Sequence, residues 1–176
     1  MLYHASQTSG LKELTPHIST HGKPYVYAIA GRLTAMLFGA PKDDFDFIMD
    51  EKDGKPVIYE CYPDAFKTVY LGRSCSLYEV DEDGFLRGKT SWAPECVCER
   101  AVPVVRETFI ADLFTELMRA AENGELVVNA YRDDAEYKSL IREQISARVA
   151  LFGLTEEQLR SDKRFVRYHN KLLANG

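Results

Sequence analysis

The residue pattern predicts an α+β protein, with strands first and helices after. Three observations carry that expectation. Aromatic, β-branched and alternating apolar stretches dominate up to about residue 108. From Ile110 onward apolar residues recur three and four apart, the spacing of an amphipathic helix. Strand-like and helix-like stretches are segregated, not alternated as βαβ units. A chain of 176 residues has room for one domain with a proper core and a helical appendage, so the expected division is 1–108 and 109–176. No Gly/Ser-rich linker separates the parts, and the helices are expected to pack on the strand region.

Leu2 to Ala5 reads as a short apolar strand. Thr8 to Leu14 is expected to make a turn or two of helix, with Leu11 and Leu14 on one face, broken at Thr15-Pro16-His17. Residues 15–24 read as loop and Tyr25 to Ile29 as a strand. Gly31 opens a helix with Leu33, Met36, Leu37 and Phe38 inside. Asp43 to Tyr62 reads as a hairpin turning at Asp53-Gly54. Ser76 to Val80 is a strand, closed by the turn residues Asp81 to Gly84. Residues 86–94 read as loop, Glu95 to Glu99 as a strand, and Val102 to Phe109 as another.

A helix through Ile110, Leu113, Leu117 and Ala121 is expected to end at Asn123-Gly124. The next helix has Asp133, Asp134 and Glu136 at its start, where the helix dipole favours acids. It turns Leu140, Ile141, Ile145 and Val149 inward and stops at Gly153. Thr155 to Gln158 is a capping box for a last helix through Phe165, Tyr168 and Leu172.

Composition narrows the class. Hydrophobic residues make up 45% and charged residues 28%, ordinary for a globular protein. No apolar run approaches the roughly 18 residues that span a bilayer. The N-terminal residues lack a basic region followed by an apolar core, so a cytoplasmic location is expected. Cys61, Cys75, Cys96 and Cys98 lack C-x-x-C spacing and read as buried free thiols. The acidic residues from Asp43 to Asp53 have no EF-hand spacing and read as a solvated cluster in preference to a divalent-metal site. A net charge of −5 argues against coating nucleic acid with the whole surface. Arg160, Arg164, Arg167 and Lys171 nonetheless form a basic stripe if the last helices are continuous, with Lys163 adjacent. That stripe is either a phosphate contact or a solvated face.

Single residues carry little alone. His4 at a strand end reads as a histidine bonded to a backbone carbonyl, Ser6 as a local turn bond, Tyr27 as core and Glu95 as a solvated strand end. Their combination points further. Leu2-Tyr3-His4-Ala5-Ser6 resembles the Leu-Tyr/Trp-His-Gly-Ser signature of ADP-ribosyltransferase-like domains, in the poly-ADP-ribose polymerase and diphtheria-toxin branch. Tyr25-Val26-Tyr27-Ala28-Ile29, followed by Ala35 to Phe38, is similar to that branch's Gly-Ile-Tyr-Phe-Ala strand and helix. Glu95-Cys96-Val97-Cys98-Glu99 resembles the late strand opened by a glutamate, with Glu95 the first choice and Glu99 the second.

The resemblance implies a small split β-sandwich core with a C-terminal helical extension, and NAD as substrate. It implies that His4 bonds a ribose hydroxyl, the Ala5 backbone and Ser6 hold the carboxamide, Tyr27 stacks on nicotinamide and Phe38 forms the opposite wall. Glu95 would then stabilise the oxocarbenium-like ribose as nicotinamide leaves. The acceptor is a protein or a nucleic acid, or water. The family's Gly is Ala5 here, costly only if that position needs positive φ. Ala93 stands where arginine-directed members carry Glu or Gln, so arginine is not the expected acceptor. The NAD-using RNA 2′-phosphotransferases are an alternative within the superfamily, though their phosphate-gripping basic residues are not evident. The alternative of another class is a non-catalytic ligand- or nucleic-acid-binding module that keeps the fold.

Overall fold

The computed structural model describes residues 1–18, 22–90 and 92–161. In chain order the elements are β1 (Leu2–Ser6), β2 (Glu13–Leu14), β3 (His17–Ile18), β4 (Pro24–Ile29), α1 (Arg32–Met36), β5 (Phe47–Lys52) and β6 (Lys55–Glu60). Then come α2 (Ala65–Tyr70), β7 (Cys75–Val80), β8 (Leu86–Arg87), β9 (Glu95–Cys98), β10 (Val102–Pro103) and β11 (Arg106–Ile110). The last are α3 (Leu113–Glu122), β12 (Val127–Asn129), α4 (Ala135–Phe152) and α5 (Glu156–Ser161). The class is α+β, with several antiparallel sheets and a long helix late in the chain.

The chain forms two compact units that interleave along the sequence: residues 1–40 with 72–117, and 41–71 with 118–176. The pattern predicted a single boundary at 108. Segments distant in sequence make the difference, because the hairpin of the second unit takes its third strand from beyond residue 126.

In the first unit a seven-stranded sheet has the order β11-β7-β1-β4-β9-β8, with β3 added on β4. β1 pairs with β7 along its whole length, from Leu2↔Val80 to Ser6↔Ser76. β4 pairs with β9 from Val26↔Cys98 to Ile29↔Glu95. Between β1 and β4 the only paired position is Tyr3↔Ile29. The sheet is therefore two well-laddered halves joined at one bridge. Alternation sends Leu2, Val26, Ala28, Tyr78, Val80, Cys96 and Cys98 to one face, where they form the core with Leu14 and Val102 of the β2–β10 pair. On the other face α1 packs against β1, β4 and β7.

The second unit is built on the expected hairpin. Asp53 and Gly54 both have positive φ, the two-residue turn that an Asp-Gly pair favours. β12 adds in parallel to β6. Phe47, Phe66 and Tyr70 pack together, with Phe47 and Tyr70 stacked at 5.8 Å. Buried Glu60 accepts the backbone N–H of Phe66 at 2.7 Å and of Tyr131 at 2.9 Å, tying α2 and the segment before α4 to the hairpin. Arg148 of α4 donates to the carbonyls of Asp44 and Phe47.

Several local expectations change. Residues 8–14 are not helical. Gly10 has φ +78, and Leu14 is buried by pairing with Val102. The loops at 15–24 and 86–94 contain the short strands β3 and β8, each held by a longer neighbour. Val102 to Phe109 is two strands, β10 and β11. α2 lies in a stretch with no element expected. Ile110 ends β11, and α3 starts at Leu113, because the Asp112 carboxylate accepts the Thr115 N–H at 3.0 Å and caps the helix there. Leu140 and Phe38 were expected inside, yet they are 38% and 37% exposed.

Asp43 and Asp46 are buried, not solvated; Asp46 accepts the Tyr62 hydroxyl at 2.6 Å and the Asp43 N–H at 2.9 Å. The capping box forms as read, with Thr155 and Gln158 exchanging bonds of 2.8 and 3.2 Å. Of the basic stripe, Lys163, Arg164, Arg167 and Lys171 lie outside the described residues, as do Phe165, Tyr168 and Leu172, and the Arg160 side chain is likewise not described.

Candidate functional site

Of the residues singled out in the sequence, His4 and Tyr27 meet at the seam between β1 and β4. A regular ladder would continue past Tyr3↔Ile29 and give the Tyr27 carbonyl a backbone donor from β1. Instead the His4 side chain serves it, with Nδ1 2.8 Å from the Tyr27 oxygen. A carbonyl only accepts, so Nδ1 carries the proton and Nε2 is the acceptor of the neutral ring. Strand carbonyls lie near the plane of the sheet, which brings the edge of the imidazole into the seam. Burial pushes the His4 pKa below its ordinary 6.5; the Tyr27 carbonyl opposes that shift and the charge of His17 adds to it. The ring is neutral at pH 7.

Tyr27 lies between Val26 and Ala28, so its ring leaves the core face and projects from the other. It meets Tyr25 edge-on at 6.0 Å and His17 tilted at 5.7 Å. Glu95 starts β9 opposite Ile29, and Val97 is opposite Tyr27, so Glu95 and Tyr27 are a diagonal pair on one face. Such pairs lie on the order of 7 Å apart. Glu95 is half-buried and its N–H donates to the Trp92 carbonyl at 3.1 Å. Glu99, the second choice, is exposed beyond the end of β9.

The rest of the expected set has a different placement. Ala5 is an in-register strand residue opposite Leu77, and among the described residues positive φ outside glycine occurs at Asp53 and Asp64 alone. Ala in place of Gly is therefore unstrained at this position. Ser6 accepts the Thr8 N–H at 3.1 Å, the local turn bond its type favours. His4 shares the face of Leu2, opposite to that of Tyr27 and Glu95, and its cross-strand row runs to Tyr78 and Glu107. What links it to Tyr27 is the bond through the seam. Phe38 stands against Trp92, ring centroids 5.5 Å apart.

Sequence reasoning missed Trp92, His17 as a neighbour of Tyr27, and the group around Glu107. Glu107 accepts the Ser76 hydroxyl at 2.6 Å and the Gly10 N–H at 3.0 Å, and these bonds hold its carboxyl below the usual range. The local signal for Trp92 was present: a large aromatic three residues before the chosen glutamate, in a Pro-containing turn.

The four cysteines are buried free thiols, and burial pushes Cys61 up to about 12 and Cys75 up to about 11. Neither is a thiolate nucleophile at neutral pH. A cavity of about 280 Å³ lies in the second unit, lined by Ile48, Met49, Asp50, Tyr59, Leu140, Ile141 and Gln144. It contains none of the residues at the seam, and its lining offers no paired acid and base. Among the described residues no helix is long and apolar enough to cross a membrane. Comparison of the chain with protein-family models, with curated proteins and with solved structures finds no match.

Tyr27 and Glu95 share one face of the sheet, and His4, on the other face, is linked to them through the Tyr27 carbonyl. The imidazole offers Nε2 to a hydroxyl. The ring offers a π-face to a planar heterocycle. The carboxylate offers negative charge to a cation forming beside it.

Proposed function

We propose that the protein breaks the bond between nicotinamide and ribose in NAD and passes ADP-ribose to an acceptor, or to water. The observation that supports this most is the seam: a sheet in two halves, with His4 bonded to the Tyr27 carbonyl and Glu95 on the next strand sharing Tyr27's face. The second support is the His-Tyr-Glu order along the chain, through the sequence resemblance. In the reaction the C1′–N bond breaks and nicotinamide leaves neutral with the electron pair. Positive charge builds on the ribose, and the incoming nucleophile bonds to C1′ and loses its proton to solvent. Glu95 stabilises charge that exists only in that transition state. Tyr27 stacks on nicotinamide already in the ground state, and His4 orients the sugar.

The test is calorimetric titration with NAD beside an assay for released nicotinamide. Glu95→Gln keeps shape and removes charge, so binding survives while turnover falls by roughly two to three orders of magnitude. Tyr27→Ala instead weakens NAD binding. Unchanged turnover in the Glu95 variant moves the role to Glu99. A non-catalytic module that keeps the fold is the second reading. It is favoured by the fact that the His4 and Ser6 bonds are those of purely structural residues. It predicts no nicotinamide release at all.

A further inference from the structure

We infer that Phe38 and Trp92 are a positioning pair for Glu95, and that Phe38 is not a wall of the nicotinamide pocket. The catalytic consequence rests on the ADP-ribose reading; the positioning itself does not.

Phe38 stands just beyond α1, and its backbone is fixed twice. Its N–H donates to Ala35 at 3.0 Å. At the next residue, Gly39, an added Cβ would lie 2.6 Å from Cys75 Sγ, so this end of the helix is pressed against β7. The Phe38 ring thus projects from a rigid base. It meets Trp92 at 5.5 Å and 48°, a tilted aromatic contact of favourable geometry.

Trp92 opens the turn that leads into β9. Its carbonyl accepts the Glu95 N–H at 3.1 Å and the Thr90 hydroxyl at 3.2 Å. Trp92 and Glu95 are the first and last residues of one turn, so a shift of the indole is carried to Glu95 through a single hydrogen bond. Past Glu95 the chain is locked by the ladder to β4. The turn before Glu95 lies outside that ladder, and the Phe38 ring packs on its first residue. Phe38 already spends ring surface on Trp92, whereas Tyr27 is the aromatic on Glu95's own strand face.

Trp92 is the only tryptophan in the chain, so its emission reports this contact directly. The experiment compares wild type with Phe38→Ala, Phe38→Tyr and Trp92→Phe. It measures indole emission and hydrogen exchange of the Glu95 amide without NAD, then NAD affinity and the rate of nicotinamide release. Phe38→Ala is expected to shift emission to the red and to speed Glu95 exchange about tenfold or more. NAD affinity should stay within about twofold while kcat falls ten- to a hundredfold, the scale on which small misplacements act. Phe38→Tyr and Trp92→Phe keep an aromatic pair and restore exchange and kcat toward wild type.

Unchanged emission and exchange in Phe38→Ala overturn the inference, whether or not NAD is turned over. So does weakened NAD binding with kcat intact, which makes Phe38 a wall. Faster exchange in a protein whose wild type never releases nicotinamide upholds the positioning and ends the ADP-ribose reading instead.

Discussion

Tyr78→Phe removes one oxygen and tests how the segment after the His4 strand is held. The Tyr78 side chain is fully buried in the first unit's core. Its hydroxyl donates to the Thr8 carbonyl at 2.7 Å and accepts the Leu11 N–H at 3.2 Å. Glu107 lies 3.2 Å away, but the hydroxyl has one proton and the shorter bond takes it. Phenylalanine fills the same space, so no cavity term enters. What is lost is two hydrogen bonds to backbone groups that are only partly shielded from water. At a net contribution of about 1 kcal/mol each the loss is about 2 kcal/mol, with more if Thr8 and Leu11 stay dry. In urea, with a slope of roughly 2 kcal/mol per molar, the midpoint falls by about 1 M. The Leu11 amide should exchange faster by a similar free energy, because its own bond is the one removed. A midpoint shift below about 0.2 M with Leu11 protection unchanged would show that water replaces the hydroxyl freely and that Tyr78 does not hold the segment from Thr8 to Leu11.

Two further outcomes follow from the same unit. Gly39→Ala puts a methyl group 2.6 Å from Cys75 Sγ and 3.0 Å from the Met36 carbonyl. Thermal or urea unfolding should show a loss of about 1–3 kcal/mol, and Cys75→Ala in the same chain should recover part of it. Stability should also fall on acidification in two windows. His4 has a folded pKa below its ordinary 6.5, so the unfolded chain takes up its proton first, and stability falls as pH drops below about 6.5 until the folded pKa is passed. Glu107 has a folded pKa below its ordinary 4.5, and its contribution is present above that pH and lost as pH falls through the folded value. Urea midpoints against pH should therefore lose the upper slope in His4→Gln and show a shallower lower slope in Glu107→Gln, where Asp112 and Asp134, also held below their ordinary values, keep part of it. A His4→Gln profile identical to wild type between pH 5 and 7 would refute the first assignment.

Much of the local structure was legible because its causes are local. Asp53-Gly54 demands positive φ wherever it occurs, so the hairpin was readable. Asp134 and Gly153 bound α4 as acid and glycine chemistry requires, with the Asp134 carboxylate accepting the Tyr137 N–H at 2.8 Å and Gly153 at φ +61. Thr155 and Gln158 cap each other through bonds only three residues apart. His4, Tyr27 and Glu95 could be chosen as candidates from residue type and order along the chain.

What the residues by themselves could not determine was pairing at a distance. Whether Leu14 belongs to a helix turn or a strand depends on Val102, nearly ninety residues later. The hairpin joins the late helices in a second unit because the β12 backbone completes its sheet and Glu60 finds its donors at Phe66 and Tyr131. No periodicity encodes such bonds, since backbone N–H and C=O groups are the same at every residue. The seam is decided in the same way. Nothing within Leu2 to Ser6 or Tyr25 to Ile29 says that their ladder stops after one pair. The tertiary fold stops it, and that interruption gives the His4 ring its place beside the Tyr27 carbonyl. The fold also decides which face each side chain takes, setting Glu95 with Tyr27 and turning His4 toward Tyr78, because strand register is a property of neighbours and not of the strand alone.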